Sequence, residues 1–230
     1  GVGLRRTDSG EPIAIVSESY EPVQYLDIVE NLEEAISMSG INLDGAEFQT
    51  NVIGHGEQLE LTAKFNAEAA TIDGRNDLVT PQFKFRTSHN RTWANNGMMG
   101  FFRAACYNTL VDGNKLAYVY GRHSKNFSVP SFASKIRAAS DYISNAGINK
   151  MHRWYQTPVS RNEAINLFSR TLAKRMDNVT KAQVPNKVML SNLMKTFDEE
   201  NRHLIGRGNY EKYGERTEGT LWTAYQAATA

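Results

Sequence analysis

The chain has 230 residues, 40% hydrophobic and 22% charged, with a formal net charge of +1; this is ordinary for a soluble globular protein with room for a substantial core. No apolar run approaches the roughly 20 residues that cross a bilayer, so no membrane association is expected. The single cysteine excludes an internal disulfide and a cysteine-based zinc cluster and fits a reducing, cytoplasmic setting.

Residues 1–16 read as a loose arm leading into a short strand, IAIVS. PVQYLDIVENLEEAISMSG then spaces Leu26, Val29, Leu32 and Ile36 as one helical stripe and ends at Gly40, a natural C-terminal cap. Residues 47–65 read as a hairpin turning at Gly54-His55-Gly56. Its second strand alternates Leu59, Leu61, Ala63 and Phe65 with Gln58, Glu60, Thr62 and Lys64, as a strand with one wet face does. QFKFRTS repeats the alternation, with Phe83 and Phe85 on one side and Lys84, Arg86 and Ser88 on the other. A helix is expected from about Asn96 to Val111, with Met98, Phe101, Phe102, Ala105 and Thr109 inward and Asp112-Gly113 ending it, followed by a strand in KLAYVYG.

Beyond residue 128 the period is helical. Phe132, Ile136, Ala139 and Ile143 form one stripe that closes at Gly147. Ser160-x-x-Glu163 is a capping box before Ile165, Phe168 and Leu172. Leu190, Leu193, Met194 and Phe197 mark another helix, and TLWTAYQAATA a last one. The expected fold is α+β: an antiparallel sheet with packed helices over residues 1–127 and a mostly helical region over 128–230, either packed on it or continuous with it.

Charge is divided unevenly. Residues 1–80 hold 4 Lys/Arg against 15 Asp/Glu, and residues 81–230 hold 22 against 10. Such polarity flags nucleic-acid binding or self-association, the bland alternative being acidic helices that neutralise basic ones. Within residues 83–137 nine cations face one anion, Asp112, with aromatic residues interleaved. Cations neutralise phosphates and exposed aromatic faces stack unpaired bases. Lys84, Arg86, Arg91, Arg103, Arg122 and Lys125 are the candidates for phosphate, Trp93 and Phe127 for bases, and His89 and His123 as donors. Phe101 is expected in the core.

Enzymatic readings are weaker. Cys106 sits in an apolar run without a local base, as a core cysteine does. The five histidines form no HxxxH pair, and no phosphate-binding glycine loop follows a strand. No catalytic residue, metal or cofactor is assigned.

FRTSHNRTW, FFRAACYNTLVDG, YGRHSKNFSV and GTLWTAYQAAT, together with IVSESYEPVQYLDIVENLEE, resemble a phage- and plasmid-borne family catalogued as domain of unknown function number 932. The resemblance spans most of the chain and implies mobile-element DNA metabolism in a bacterial host. Where the family pattern suggests an SHDGS-like turn, this chain has Ser88-His89-Asn90-Arg91-Thr92, which adds a cation. The strand–hairpin–strand–helix outline is also similar to phage single-strand annealing proteins of the RecT and Erf kind. The expected function is therefore single-stranded DNA binding, with strand annealing as an extension, in replication or recombination. The expected partners are single-stranded nucleic acid, DNA favoured, and further copies of the chain. The alternatives are a protein-interaction factor in host takeover or anti-defence, and a nucleic-acid-processing enzyme.

Overall fold

The computed structural model describes residues 1–20, 22–72, 77–103, 108–110, 118–121, 129–180, 187–204 and 219–229, and for 108–110, 119–121, 129, 173–180, 203 and 204 the backbone alone. The strands are β1 (Val2–Arg5), β2 (Pro12–Val16), β3 (Glu47–Ile53), β4 (Gln58–Lys64), β5 (Ala70–Thr71), β6 (Leu78–Ser88), β7 (Asn95–Arg103), β8 (Asn108–Leu110), β9 (Tyr118–Gly121), β10 (Pro158–Val159) and β11 (Gly219–Thr220). The helices are α1 (Tyr25–Met38), α2 (Val129–Asp141), α3 (Ile148–Gln156), α4 (Arg161–Thr180), α5 (Lys187–Leu204) and α6 (Leu221–Thr229). The fold is thus α+β, with helices dominating the second half. Two compact units divide it: Gly1–Ala70 with Leu78–Ile148, and Thr71–Asp77 with Asn149–Ala230.

The first unit is built on an antiparallel sheet in the order β3-β4-β6-β7, with β8 and β9 both pairing the far side of β7. The expected hairpin is β3–β4, and Gly54, His55 and Gly56 all take positive φ in its turn. Facing residues share a side in antiparallel pairing. Leu61, Phe85 and Gly97 therefore form one row across β4, β6 and β7, and Ala63, Phe83 and Met99 the next. These rows are buried. The α2 side chain Phe132 closes them, meeting Phe83 and Phe85 edge-on at centroid distances of 6.2 and 6.0 Å. With α2 packed on the sheet in this way, the first unit continues through it to Ile148.

Three local expectations need correction. The segment expected as a helix over Asn96–Val111 is strand β7 followed by β8, with residues 104–107 outside the described set. Its apolar run imitates helical spacing because Met98, Gly100 and Phe102 on the second face are themselves apolar or small, which blurs the alternation. The alternation is nonetheless there: Gly97, Met99, Phe101 and Arg103 are buried, while Met98 and Phe102 are half-buried. Gly97 and Gly100, each costing about 1 kcal/mol inside a helix, were the contrary signal. In α1 the buried stripe keeps the expected Leu32 and Ile36 but is completed by Ile28 and Ala35, while Val29 is half-buried and Leu26 is 67% exposed. Gly147 does not end a helix: a π-helical turn over Tyr142–Gly147 leads directly into α3. A Cβ on Gly147 would lie 3.1 Å from the Phe101 ring, so glycine lets the helix pass close to the sheet.

The second unit packs Val159, Ala164, Phe168, Met194, Phe197, Ala224 and Ala227 into one cluster. The capping box at its head is present: the Ser160 amide donates to Glu163 Oε2 at 2.8 Å, and the Glu163 amide donates back to Ser160 Oγ at 3.3 Å. Those bonds from Ser160 hold the Glu163 carboxyl below its ordinary pKa. Thr220 and Thr223 exchange amide-to-hydroxyl bonds of the same kind at the start of α6. The buried Trp222 indole donates to Asp77 Oδ2 at 2.7 Å.

Two substitutions test this packing. Phe101→Ala should lower unfolding free energy by about 3–5 kcal/mol in urea titration, as for a fully buried aromatic. Gly219→Ala should lower the melting temperature sharply, because its Cβ would come 2.5 Å from the Phe197 ring, whereas Gly3→Ala, with nothing within 4 Å, should leave it nearly unchanged.

Candidate nucleic-acid interface

The second face of the first unit's sheet carries the other half of each alternation. Asn51, Glu60, Arg86 and Asn96 form one row across β3, β4, β6 and β7. Gln49, Thr62, Lys84, Met98 and Tyr118 form the neighbouring row, extended onto β9. Tyr118 is 44% exposed at the end of that row. Glu60 accepts a 2.6 Å hydrogen bond from Arg86 Nε, and Lys64 lies 3.8 Å from Glu47 and 4.2 Å from the centre of the Phe102 ring. Lys84 has no anionic partner among the described residues.

The turn between β6 and β7 borders this face. Ser88 Oγ accepts from the Trp93 amide at 2.8 Å and pairs with the Trp93 carbonyl at 3.0 Å, pinning both ends of the turn. Asn90 Oδ1 accepts from the Thr92 amide and hydroxyl at 3.1 and 2.6 Å, and Gln58 Nε2 reaches Thr92 Oγ1 at 2.7 Å. Arg91 sits exposed at the tip with φ of 67°, a left-handed conformation that costs a residue with a Cβ about 1–2 kcal/mol. It falls where the resembling turn carries glycine. The Arg86 guanidinium lies 5.3 Å from the centre of the Trp93 ring, within cation–π range. Trp93 thereby joins the turn to the polar face.

His89 anchors the back of the turn. Its amide donates to the Glu57 carbonyl at 2.7 Å, and the same carbonyl accepts from the Tyr25 hydroxyl at 2.7 Å. The His89 ring stacks on Tyr25 at a centroid distance of 4.3 Å, and its Nδ1 is 3.2 Å from the Tyr20 hydroxyl. Burial pushes the phenols of both Tyr25 and Tyr20 above the ordinary tyrosine value. A cleft of about 470 Å³ opens beside this cluster, lined in part by Arg5, Arg6, Gln24, Tyr25 and His89. Arg6 is committed within it, bonded to Asp8 and to the His55 carbonyl, and Arg6 holds the Asp8 carboxyl well below its usual range.

Of the residues singled out from sequence, the structure brings Lys84, Arg86, Arg91, Trp93 and His89 to one sheet face and its bordering turn. Arg103 departs from that set: it is 1% exposed, on the core side of β7 opposite Val79, and no phosphate reaches it there. Arg122, His123, Lys125 and Phe127 lie outside the described residues, as does Cys106. Sequence reasoning missed the part of Tyr20 and Tyr25, whose partners lie 69 and 32 residues away. The alternation of KLAYVYG already offers one of Tyr118 and Tyr120 as an exposed ring, and Tyr118 is exposed; only the folded chain could find the tyrosine–histidine cluster.

Among the described residues, no group of three or more His, Cys, Asp or Glu side chains is placed to hold a metal ion, and no helix is long and apolar enough to cross a membrane. The architecture is that of an α+β protein with one polar, open sheet face. The chain belongs to the family described as domain of unknown function DUF932, which matches over residues 12–230. No curated protein and no solved structure matches it.

The buried phenols make alkaline stability a test of the cluster. The folded protein keeps these protons more tightly than the unfolded chain does, so their contribution is complete below about pH 10, the ordinary tyrosine value, and is lost as pH rises above it. The urea midpoint of the wild type should fall between about pH 9 and about pH 11 by more than that of Tyr20→Phe/Tyr25→Phe, whose rings cannot ionise. Equal slopes would remove the two tyrosines from the account.

Proposed function

We propose that this chain is a single-stranded DNA-binding protein of phage type, coating strands and annealing complementary ones during replication or recombination in the bacterial cytoplasm. The observation that carries the reading is the polar sheet face. Lys84 and Arg86 stand on β6 and Tyr118 on β9, the two strands that flank β7, with Trp93 and Arg91 at the border of this face. Open antiparallel sheets are suited to unpaired strands because side chains stand off the pleat at regular intervals and backbone amides are already satisfied. Rings then stack bases while cations neutralise phosphates, and neither act needs covalent chemistry. The exposed Asn96 and half-buried Thr62 add neutral donors on the same face.

The cationic share of this surface is modest. Glu60 offsets Arg86, which leaves Lys84 and Arg91 as the cations without an anionic partner among the described residues of the face and turn. Binding through them should accordingly be weak in salt and rely on stacking. The charge of the second half, together with the family resemblance, supports DNA as the polymer.

Fluorescence anisotropy of a labelled oligonucleotide across a salt series tests the reading. Affinity should fall as salt rises, because each neutralised phosphate contributes about −0.7 to the logarithmic slope for single strands. Arg91→Gly should shift that slope by about one such contact, while the melting temperature is held or raised, since glycine relieves the left-handed backbone. Trp93→Ala should weaken binding by about 1–3 kcal/mol, the worth of one stacked base, without a change in the backbone bonds that close the turn. Binding that is absent at low salt, or indifferent to salt, overturns the proposal.

A further inference from the structure

Strand β3 ends the sheet. It pairs with β4 in unbroken register from Glu47 to Ile53 and, among the described residues, has no neighbour on its other side. All seven of its residues are exposed. Three of them are large and apolar: Phe48 at 45%, Val52 at 58% and Ile53 at 43%. Phe48 and Val52 lie on the side of the sheet where β4 buries Leu59, Leu61 and Ala63. A long edge with open backbone amides and carbonyls invites another strand, and monomers normally blunt such an edge with lysine, proline or a bulge. The sequence EFQTNVI carries neither lysine nor proline, and its register carries no bulge.

We infer that β3 is the dimer interface of this protein, pairing antiparallel with β3 of a second copy about a two-fold axis at Thr50. The occupant is argued from the strand's own symmetry. Turned about Thr50, the strand sets Phe48 opposite Val52 of the second copy and Gln49 opposite Asn51. Thr50 meets itself, and Glu47 meets Ile53. Apolar residues thus meet on the core side, amides meet on the wet side, and no like charges oppose each other. An isologous contact requires such self-complementarity. A register displaced by one residue would face Phe48 with Asn51 and lose it. The inference does not rest on nucleic-acid binding, because it concerns the free protein.

Sedimentation equilibrium of the full chain without DNA tests it. A concentration-dependent dimer is expected. Thr50→Lys places two cations against each other at the axis and should raise the dimer dissociation constant at least tenfold, with the circular dichroism of the monomer unchanged. Val52→Glu should weaken the dimer similarly, and Phe48→Lys/Val52→Glu should restore it through two new cross-strand ion pairs. In a Cys106→Ser background, oxidation should cross-link Thr50→Cys to itself, while Gln49→Cys should cross-link poorly. A monomer at every concentration, a dimer indifferent to Thr50→Lys, or equal cross-linking at 49 and 50 would overturn the inference. Loss of DNA binding with the dimer intact would count against the proposed function alone.

Discussion

The first unit depends on the registry of β6 between β4 and β7. Side chains alternate along a strand, so a slip of one residue would carry Phe83 and Phe85 into water and press Lys84 and Arg86 into the core. Burying an unpaired cation costs several kcal/mol, and the edge-on contacts with Phe132 would be lost as well. Two buried polar contacts reinforce the registry at the turn end: Thr87 donates to Asn95 Oδ1 at 2.7 Å, and Ser88 clasps the Trp93 backbone. Core and polar face are therefore one constraint seen from opposite sides. A change that loosens either also disorders the other.

What could be read beforehand was whatever depends on near neighbours. The alternation in β4 and in the second half of β6, the hairpin turn with three left-handed residues, and the capping box at Ser160 are local patterns with local causes. The stripe of Phe132, Ile136 and Ala139 in α2 and Ile143 in the π-helical turn after it was legible for the same reason, and all four are buried. Strand β7 was not, since residues 97–102 are apolar or glycine on both of its faces, which weakens the contrast on which periodicity relies. Gly147 reads as a helix end until Phe101 is known to lie against it. The edge strand β3 was recognisable as a strand, but its exposure on both faces follows only from its place at the end of the sheet.

The candidate site was legible in composition more than in arrangement. Arg86 and Trp93 are near in sequence and meet as a cation–π pair. The carboxylate that tempers Arg86 comes from Glu60, 26 residues earlier, so the acidic first half does enter the basic segment's balance at that point. Arg103 was counted by its charge, and only the parity of β7 assigns it to the interior. The turn at residues 88–93 was visible as polar; its rigidity was not, because that arises from Ser88, Gln58, Asn90 and the stacked Tyr25 acting on it from several elements.

The bond between Trp222 and Asp77 has a consequence for how the chain comes to be folded. Its two ends lie 145 residues apart, and the short stretch bearing Asp77 interrupts the first unit's sequence. At a synthesis rate of about 5–20 residues per second, Asp77 leaves the ribosome roughly 7–30 seconds before Trp222. During that interval the sheet strands on either side of it can assemble while the aspartate waits, hydrated, for its indole. This bond in the second unit therefore forms only after Trp222 has been translated, and a nascent polypeptide released before Trp222 would leave that carboxylate without its late-arriving donor.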